Sequence, residues 1–230
     1  QSDVWNLTID NAAPVITIED ARENNYYNHV VVVNISDIEL NQTYLDGNRM
    51  GRNNKLTVTE EGVHTVYAID NYGHKSEVVT FTIDKNAPDL VVDTIIDEVS
   101  NSSNPQIHAN DTNSFNIVVK LNGNEVRNDE AGFDENINKY SSWFGIGYMP
   151  DGNYEVIATD LADNSKTIKF TLDRLAISEQ KVGSNLIDEA NNTINNFNSF
   201  AIKLNRDIKI TNFSSTEGFR IEMEYSTDGV

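Results

Sequence analysis

At 230 residues, the chain is long enough for two domains of about 75–90 residues and part of a third. Its formal net charge of -19 excludes nucleic acid, whose phosphates require a basic surface, and disfavours anionic membrane surfaces. With 38% hydrophobic residues it can still build cores, and its lack of cysteine excludes thiol nucleophiles and fits a reducing compartment or a bacterial exterior that does without disulfides.

Taken from its start, the chain repeats itself. Residues 4–10, Val-Trp-Asn-Leu-Thr-Ile-Asp, alternate apolar and polar and read as the final strand of a preceding repeat, 1–10. A joint with Pro14 follows, and proline, lacking an N–H, ends one ladder and starts an edge strand. The first full repeat spans 11–84. It opens on a strand at 15–18, continues through a β-branched run at 29–35, and has short strands at 43–45 and 55–58 around the turn Asp46-Gly47-Asn48. It closes on 62–70, a turn at Asn71-Tyr72-Gly73, and 79–84.

The joint at 84–88, ending on Pro88, leads into the second repeat, 85–173. Its matching segments are 89–92, 115–121, the hairpin turn Asn122-Gly123, and 152–160 followed by 167–173. It also carries an insertion, 129–135, and the aromatic stretch 140–148. The rest, 174–230, reads as a partial third β domain with strands at 200–204, 208–210 and 219–225. Its joint lacks proline, and the sequence ends before a Gly-x-Tyr hairpin, so an incomplete domain missing its last two strands, or a different β module, is expected. One helix is expected at 186–197, where Leu186, Ile187, Ala190, Ile194 and Phe197 recur at near-helical spacing. No run of 18 apolar residues spans a membrane. Short strands at regular spacing place the chain in the all-β class, as sandwiches set end to end.

The segment Gly152-Asn153-Tyr154-Glu155-Val156-Ile157-Ala158-Thr159-Asp160, with Phe170-Thr171-Leu172-Asp173, resembles bacterial immunoglobulin-like repeats, which occur in tandem on surface proteins of Gram-positive bacteria. The copy ending Asp84-Lys85-Asn86-Ala87-Pro88 is closer still. The resemblance covers residues 1–173 well and the remainder weakly. It implies that Tyr154 hydrogen-bonds back to a nearby loop as a tyrosine corner. His64 takes the matching place in the first repeat, which argues against a corner bond there.

No catalytic site emerges. His29, His64, His74 and His108 lack metal-ligand spacing, no serine sits in a nucleophile elbow, and no Gly-rich loop precedes a helix. Asp70, Asp84, Asp160 and Asp173 end strands near the joints, where calcium could collect their oxygens. The favoured reading is that Asp70 and Asp160 accept backbone N–H bonds in the turns that follow, so no metal or cofactor is assigned. Trp143 and its aromatic neighbours could stack on sugar rings; core packing is the favoured role. Lys120, deep in an apolar strand, is a candidate isopeptide donor. The function expected is a non-catalytic spacer or stalk of a bacterial cell-surface or secreted protein that supports adhesion. It would meet host or cell-wall glycan or protein through neighbouring regions. The alternative is a carbohydrate- or cell-wall-binding accessory module of a larger secreted enzyme.

Overall fold

The computed structural model describes residues 10–174 in full and, beyond them, the backbone of strands at 177–182, 185–186, 200–204, 209–216 and 220–226. The first sandwich comprises β1 (Val15–Ile18), β2 (Tyr26–Tyr27), β3 (Val31–Ser36), β4 (Leu40–Leu45), β5 (Asn48–Gly51), β6 (Lys55–Val58), β7 (Gly62–Asp70) and β8 (Val79–Ile83). One sheet runs β1-β3-β6 and the other β2-β8-β7-β4-β5. All pairings are antiparallel except β2 with β8.

Side-chain alternation decides which face turns inward. In β3, Val31, Val33 and Ile35 are buried while Val32 and Asn34 face outward. They meet Val66, Ala68, Phe81 and Ile83 from the opposite sheet, with Tyr27 sealing one edge. Each of the valine, isoleucine and phenylalanine side chains contributes roughly 1.5–3 kcal/mol on burial. The β4–β5 hairpin closes through Asp46 and Gly47, whose φ values of 51° and 75° are those of a two-residue turn matched to the strand twist.

The second sandwich repeats the plan with β9 (Asp89–Val92), β10 (Ile95–Ile96), β11 (Val99–Ser100), β12 (Gln106–Asp111), β13 (Phe115–Leu121), β14 (Asn124–Glu130), β15 (Gly132–Asp134), β16 (Lys139–Gly145), β17 (Gly152–Asp160) and β18 (Ser165–Leu172). Its sheets run β15-β16-β12-β9 and β10-β11-β18-β17-β13-β14, again with one parallel pair, β11 with β18. Asn122 and Gly123 make the same turn as Asp46 and Gly47, at φ 50° and 84°. Ile107, Ile117, Val119, Val156, Phe170 and Leu172 fill the core. The insertion read at 129–135 becomes the end of β14 and all of β15, so this sheet has four strands where the first sandwich has three. This strand order is that of immunoglobulin-like sandwiches.

Farther on, β19 (Ile177–Val182), β20 (Asn185–Leu186) and β21 (Phe200–Leu204) form one sheet, and β22 (Lys209–Thr216) pairs with β23 (Arg220–Ser226). Leu186 belongs to β20, and the rest of the expected helix lies outside the described residues, as do residues 1–9 of the preceding repeat. Every described regular element is a strand.

Lys120 does not sit in the core. Its neighbours Ile117 and Val119 point inward, and alternation turns Lys120 out, 3.7 Å from Glu155 in a half-buried surface ion pair. An isopeptide bond requires a lysine desolvated against an acid inside the sandwich, so that candidacy is withdrawn.

Candidate metal centres at the joints

The joint between the sandwiches is held from both sides. Lys85 N donates to Glu61 (3.0 Å), Lys85 Nζ to Thr59 O (2.7 Å), and Asn86 Nδ2 to Glu61 (2.9 Å), tying the linker to the first sandwich. From the second sandwich, Asn164 Nδ2 donates to Asp84 O at 2.8 Å and Asn113 Nδ2 to Asp84 Oδ2 at 2.5 Å. The β17–β18 turn also reaches the first sandwich directly. Arg22 donates to Ala162 O at 3.1 Å and pairs with Asp163, while Asn24 donates to Leu161 O at 2.8 Å. At the next joint, Arg174 stands in the place of Lys85 and clamps to Asp151, Gly147 O and Met149 O.

Sequence reading placed Asp70 and Asp160 in turn-capping roles, and the structure agrees. Asp160 Oδ1 accepts from Ala162 N and Asn164 N, both at 2.8 Å. Asp70 Oδ1 accepts from Tyr72 N (2.9 Å) and His74 N (2.8 Å) in the same geometry. Capping uses only part of each carboxylate. Asp84, Asp111 and Asp160 converge so that one oxygen from each lies within 4.8 Å of the others. Asp10, Asp37 and Asp70 do the same at the preceding joint. The members correspond by position: an incoming linker acid, an acid at the end of β3 or β12 (Asp37 just past β3, Asp111 the last residue of β12), and an acid ending the penultimate strand (β7 or β17). Of the four acids singled out in the sequence, the structure brings together Asp84 and Asp160, and puts Asp70 in the other triad. Asp173 belongs to neither. Asp37 and Asp111 were missed because Asp37, in the loop after β3, and Asp111, at the end of β12, carry no local motif, and only the fold brings them to the joint.

Asp111 is the member least satisfied by protein. It is 7% exposed, its Oδ1 accepts from Asn113 N at 2.8 Å, and its Oδ2 accepts no hydrogen bond from a described residue. Burial raises its pKa, and the neighbouring charges of Asp84 and Asp160 push the same way. Burial, together with Asp84, likewise raises Asp160 despite its hydrogen bonds. Two ionised carboxylates at that separation repel by about 3–4 kcal/mol at an effective dielectric constant of about 20. Such a cluster is relieved by a proton or a cation. Oxygens on opposite sides of calcium lie about 4.6–5.2 Å apart, so the three fit within one coordination sphere, with waters completing it.

The remaining candidates resolve differently. Tyr154 Oη donates to Pro150 O at 2.6 Å, the corner bond its position implied. His64, expected to lack one, makes the equivalent contact: Nε2 lies 2.9 Å from Glu60 O, and Nδ1 lies 2.8 Å from Asp46. An imidazole reaches the same carbonyl through a ring nitrogen, so the corner survives the substitution. Among the described residues, no histidine hydrogen-bonds a hydroxyl nucleophile.

Trp143 is not in the core. It is 71% exposed on the outer face of β16, stacked on His108 with ring centroids 5.3 Å apart, and its Nε1 donates to Gln106 at 3.1 Å. The signal was present in the phase of the strand: Tyr140, Ser142 and Phe144 share one face, which puts Trp143 on the other.

No family model and no curated protein matches this chain. Solved structures that are similar to it include murine CEACAM1b, at 15% identity over 70% of this chain and 100% of that one, with a TM-score of 0.39. Fibronectin(III)-like modules of Clostridium thermocellum CbhA match at 12% identity over 70% and 94%, with a TM-score of 0.34. A tetra-tandem repeat from the extending region of a large adhesion protein matches at 21% identity over 74% of this chain, which spans 52% of that one, with a TM-score of 0.33.

Proposed function

We propose that this chain is a non-catalytic spacer of a bacterial cell-surface or secreted protein, holding a neighbouring head away from the envelope in support of adhesion. In this reading residues 11–84 and 85–173 are its rigid units and a divalent cation, calcium by its oxygen ligands, stiffens the joints. One observation carries it: the linker at 84–88 is hydrogen-bonded to both sandwiches and shares its acid, Asp84, with buried Asp111 and Asp160. A joint of that kind transmits orientation, which a spacer needs and a flexible tether lacks.

Small-angle scattering and thermal melting of the full chain, with calcium and with chelator, test it. The expected result is a single extended particle whose melting temperature and joint rigidity rise with calcium. Melting indifferent to calcium and chelator removes the cation. Scattering that demands a broad spread of bends about 84–88 removes the spacer.

A second reading, a ligand-binding accessory module, is favoured by the exposed indole of Trp143.

A further inference from the structure

The outer face of the β15-β16-β12-β9 sheet carries the most exposed of the stacked rings described in the molecule; the pair Tyr44–Tyr67 on the outer face of β4 and β7 is half-buried, with Lys75 over Tyr67. Strand register sets Trp143 opposite His108, and His108 opposite Val91, in one row across three strands. The next positions outward on either side are Gln106 and, on the other flank, Asn110 with Ser141. The indole is held flat by its stack on His108 and pinned by its hydrogen bond to Gln106, yet most of it meets water. Val91, 48% exposed, extends the apolar strip.

We infer that this face binds a neutral glycan, with Trp143 as the platform on which a pyranose ring stacks. The inference deepens the second reading above and is independent of the spacer. Three features select the ligand. A flat, pre-oriented aromatic surface suits the C–H face of a sugar ring, and ordering it costs no side-chain freedom at binding. Its rim consists of amides and hydroxyls, which both donate and accept and so match sugar hydroxyls. Charge then narrows the class. Asp89 and Asp134 stand on the same face of the sheet, and the chain carries -19 overall, which repels acidic polysaccharides and nucleotides. The nearby cations are engaged: Lys139 donates to Asn110 and Lys166 pairs with Asp89.

The first sandwich supplies an internal control. Its corresponding sheet presents Thr17, Asn34, Thr57 and the ion pair Glu19–Lys55 outward, with no aromatic ring.

Binding of the full chain to an array that carries neutral oligosaccharides of glucose, xylose, mannose and N-acetylglucosamine beside acidic polysaccharides, followed by calorimetric titration of the strongest, tests the inference. The expected result is binding that falls about tenfold or more in Trp143→Ala, with circular dichroism and melting unchanged, falls less in Gln106→Ala, and is unaffected in Lys55→Ala. Trp143→Tyr should retain most of it. Should Trp143→Ala lose its fold, Gln106→Ala carries the comparison. Absence of binding to every neutral sugar, full affinity in folded Trp143→Ala, or binding confined to acidic polysaccharides overturns the inference. None of these outcomes alters the scattering by which the spacer is judged.

Discussion

The acid that ends the penultimate strand meets different company in the two sandwiches. In the first, Asp70 Oδ2 lies 2.6 Å from His74 Nδ1; in the second, Asp160 Oδ2 accepts from Asn164 Nδ2 at 2.7 Å. Burial pushes both carboxyls up. For Asp70 the bonds from His74 and Tyr72 outweigh it and the pKa falls, whereas for Asp160 burial prevails with help from Asp84. The backbone clamp is the same in each, so the turn geometry is a property of the fold. The sign of the shift is set by one neighbouring side chain and by how tightly the joint packs over it. The outer sheet faces teach the same lesson: topology repeats, while Asn34 and Lys55 stand opposite each other where the second sandwich sets His108 opposite Trp143.

Four perturbations sharpen that contrast. The largest is in the cores, where the sandwiches should behave alike. Phe81→Ala and Phe170→Ala each remove a ring packed beside the corner residue and should cost about 3–5 kcal/mol. Urea unfolding followed separately for each sandwich should place each loss on the mutated side. Next come the corners. His64→Phe, which strands Asp46 as well as Glu60 O, should cost about 1–3 kcal/mol, and Tyr154→Phe about 1 kcal/mol. Equal losses would mean that the Asp46 contact contributes nothing.

The joint acids come third and should separate by pH. Asp111 and Asp160 have raised folded pKa values, so the folded state holds their protons more tightly than the unfolded chain does. Their contribution therefore rises as pH falls through the folded pKa. Asp70 and Asp46 are lowered; their stabilisation is present above the ordinary carboxylate range and is lost as pH falls below it. Without calcium at neutral pH, Asp111→Asn should be neutral or stabilising by about 1 kcal/mol, the advantage fading on acidification. Clear destabilisation in chelator would show that the Asp111 charge is compensated by protein. Smallest is Lys55→Ala, whose exposed pair with Glu19 should change stability by less than about 0.5 kcal/mol in a melting scan.

Much of this was legible before any coordinates. Alternation in 62–70 and 79–83 marks which residues face inward, and Asp46-Gly47 and Asn122-Gly123 name their own turns, because few residues tolerate positive φ there. Tyr154 announced its corner. The triads were half legible: strand-end acids can be read from a repeat, but Asp37 and Asp111 are brought in by the packing of one sheet against the other. Trp143 was misjudged because aromatic content was weighed over strand phase. His64 was misjudged because a corner was equated with a hydroxyl, when any donor at that height reaches the carbonyl.

Each sandwich also has a parallel strand pair near its two ends, Tyr26–Tyr27 beside Thr82–Ile83 and Val99–Ser100 beside Thr171–Leu172. Tension applied between the entry and exit of such a unit pulls these neighbours in opposite directions along their length. The bridging bonds are then loaded together in shear instead of opening one at a time. Rupture under load is governed by the rate of crossing that barrier, so these two-residue ladders, each as short as any in its sandwich, are where resistance to pulling is concentrated.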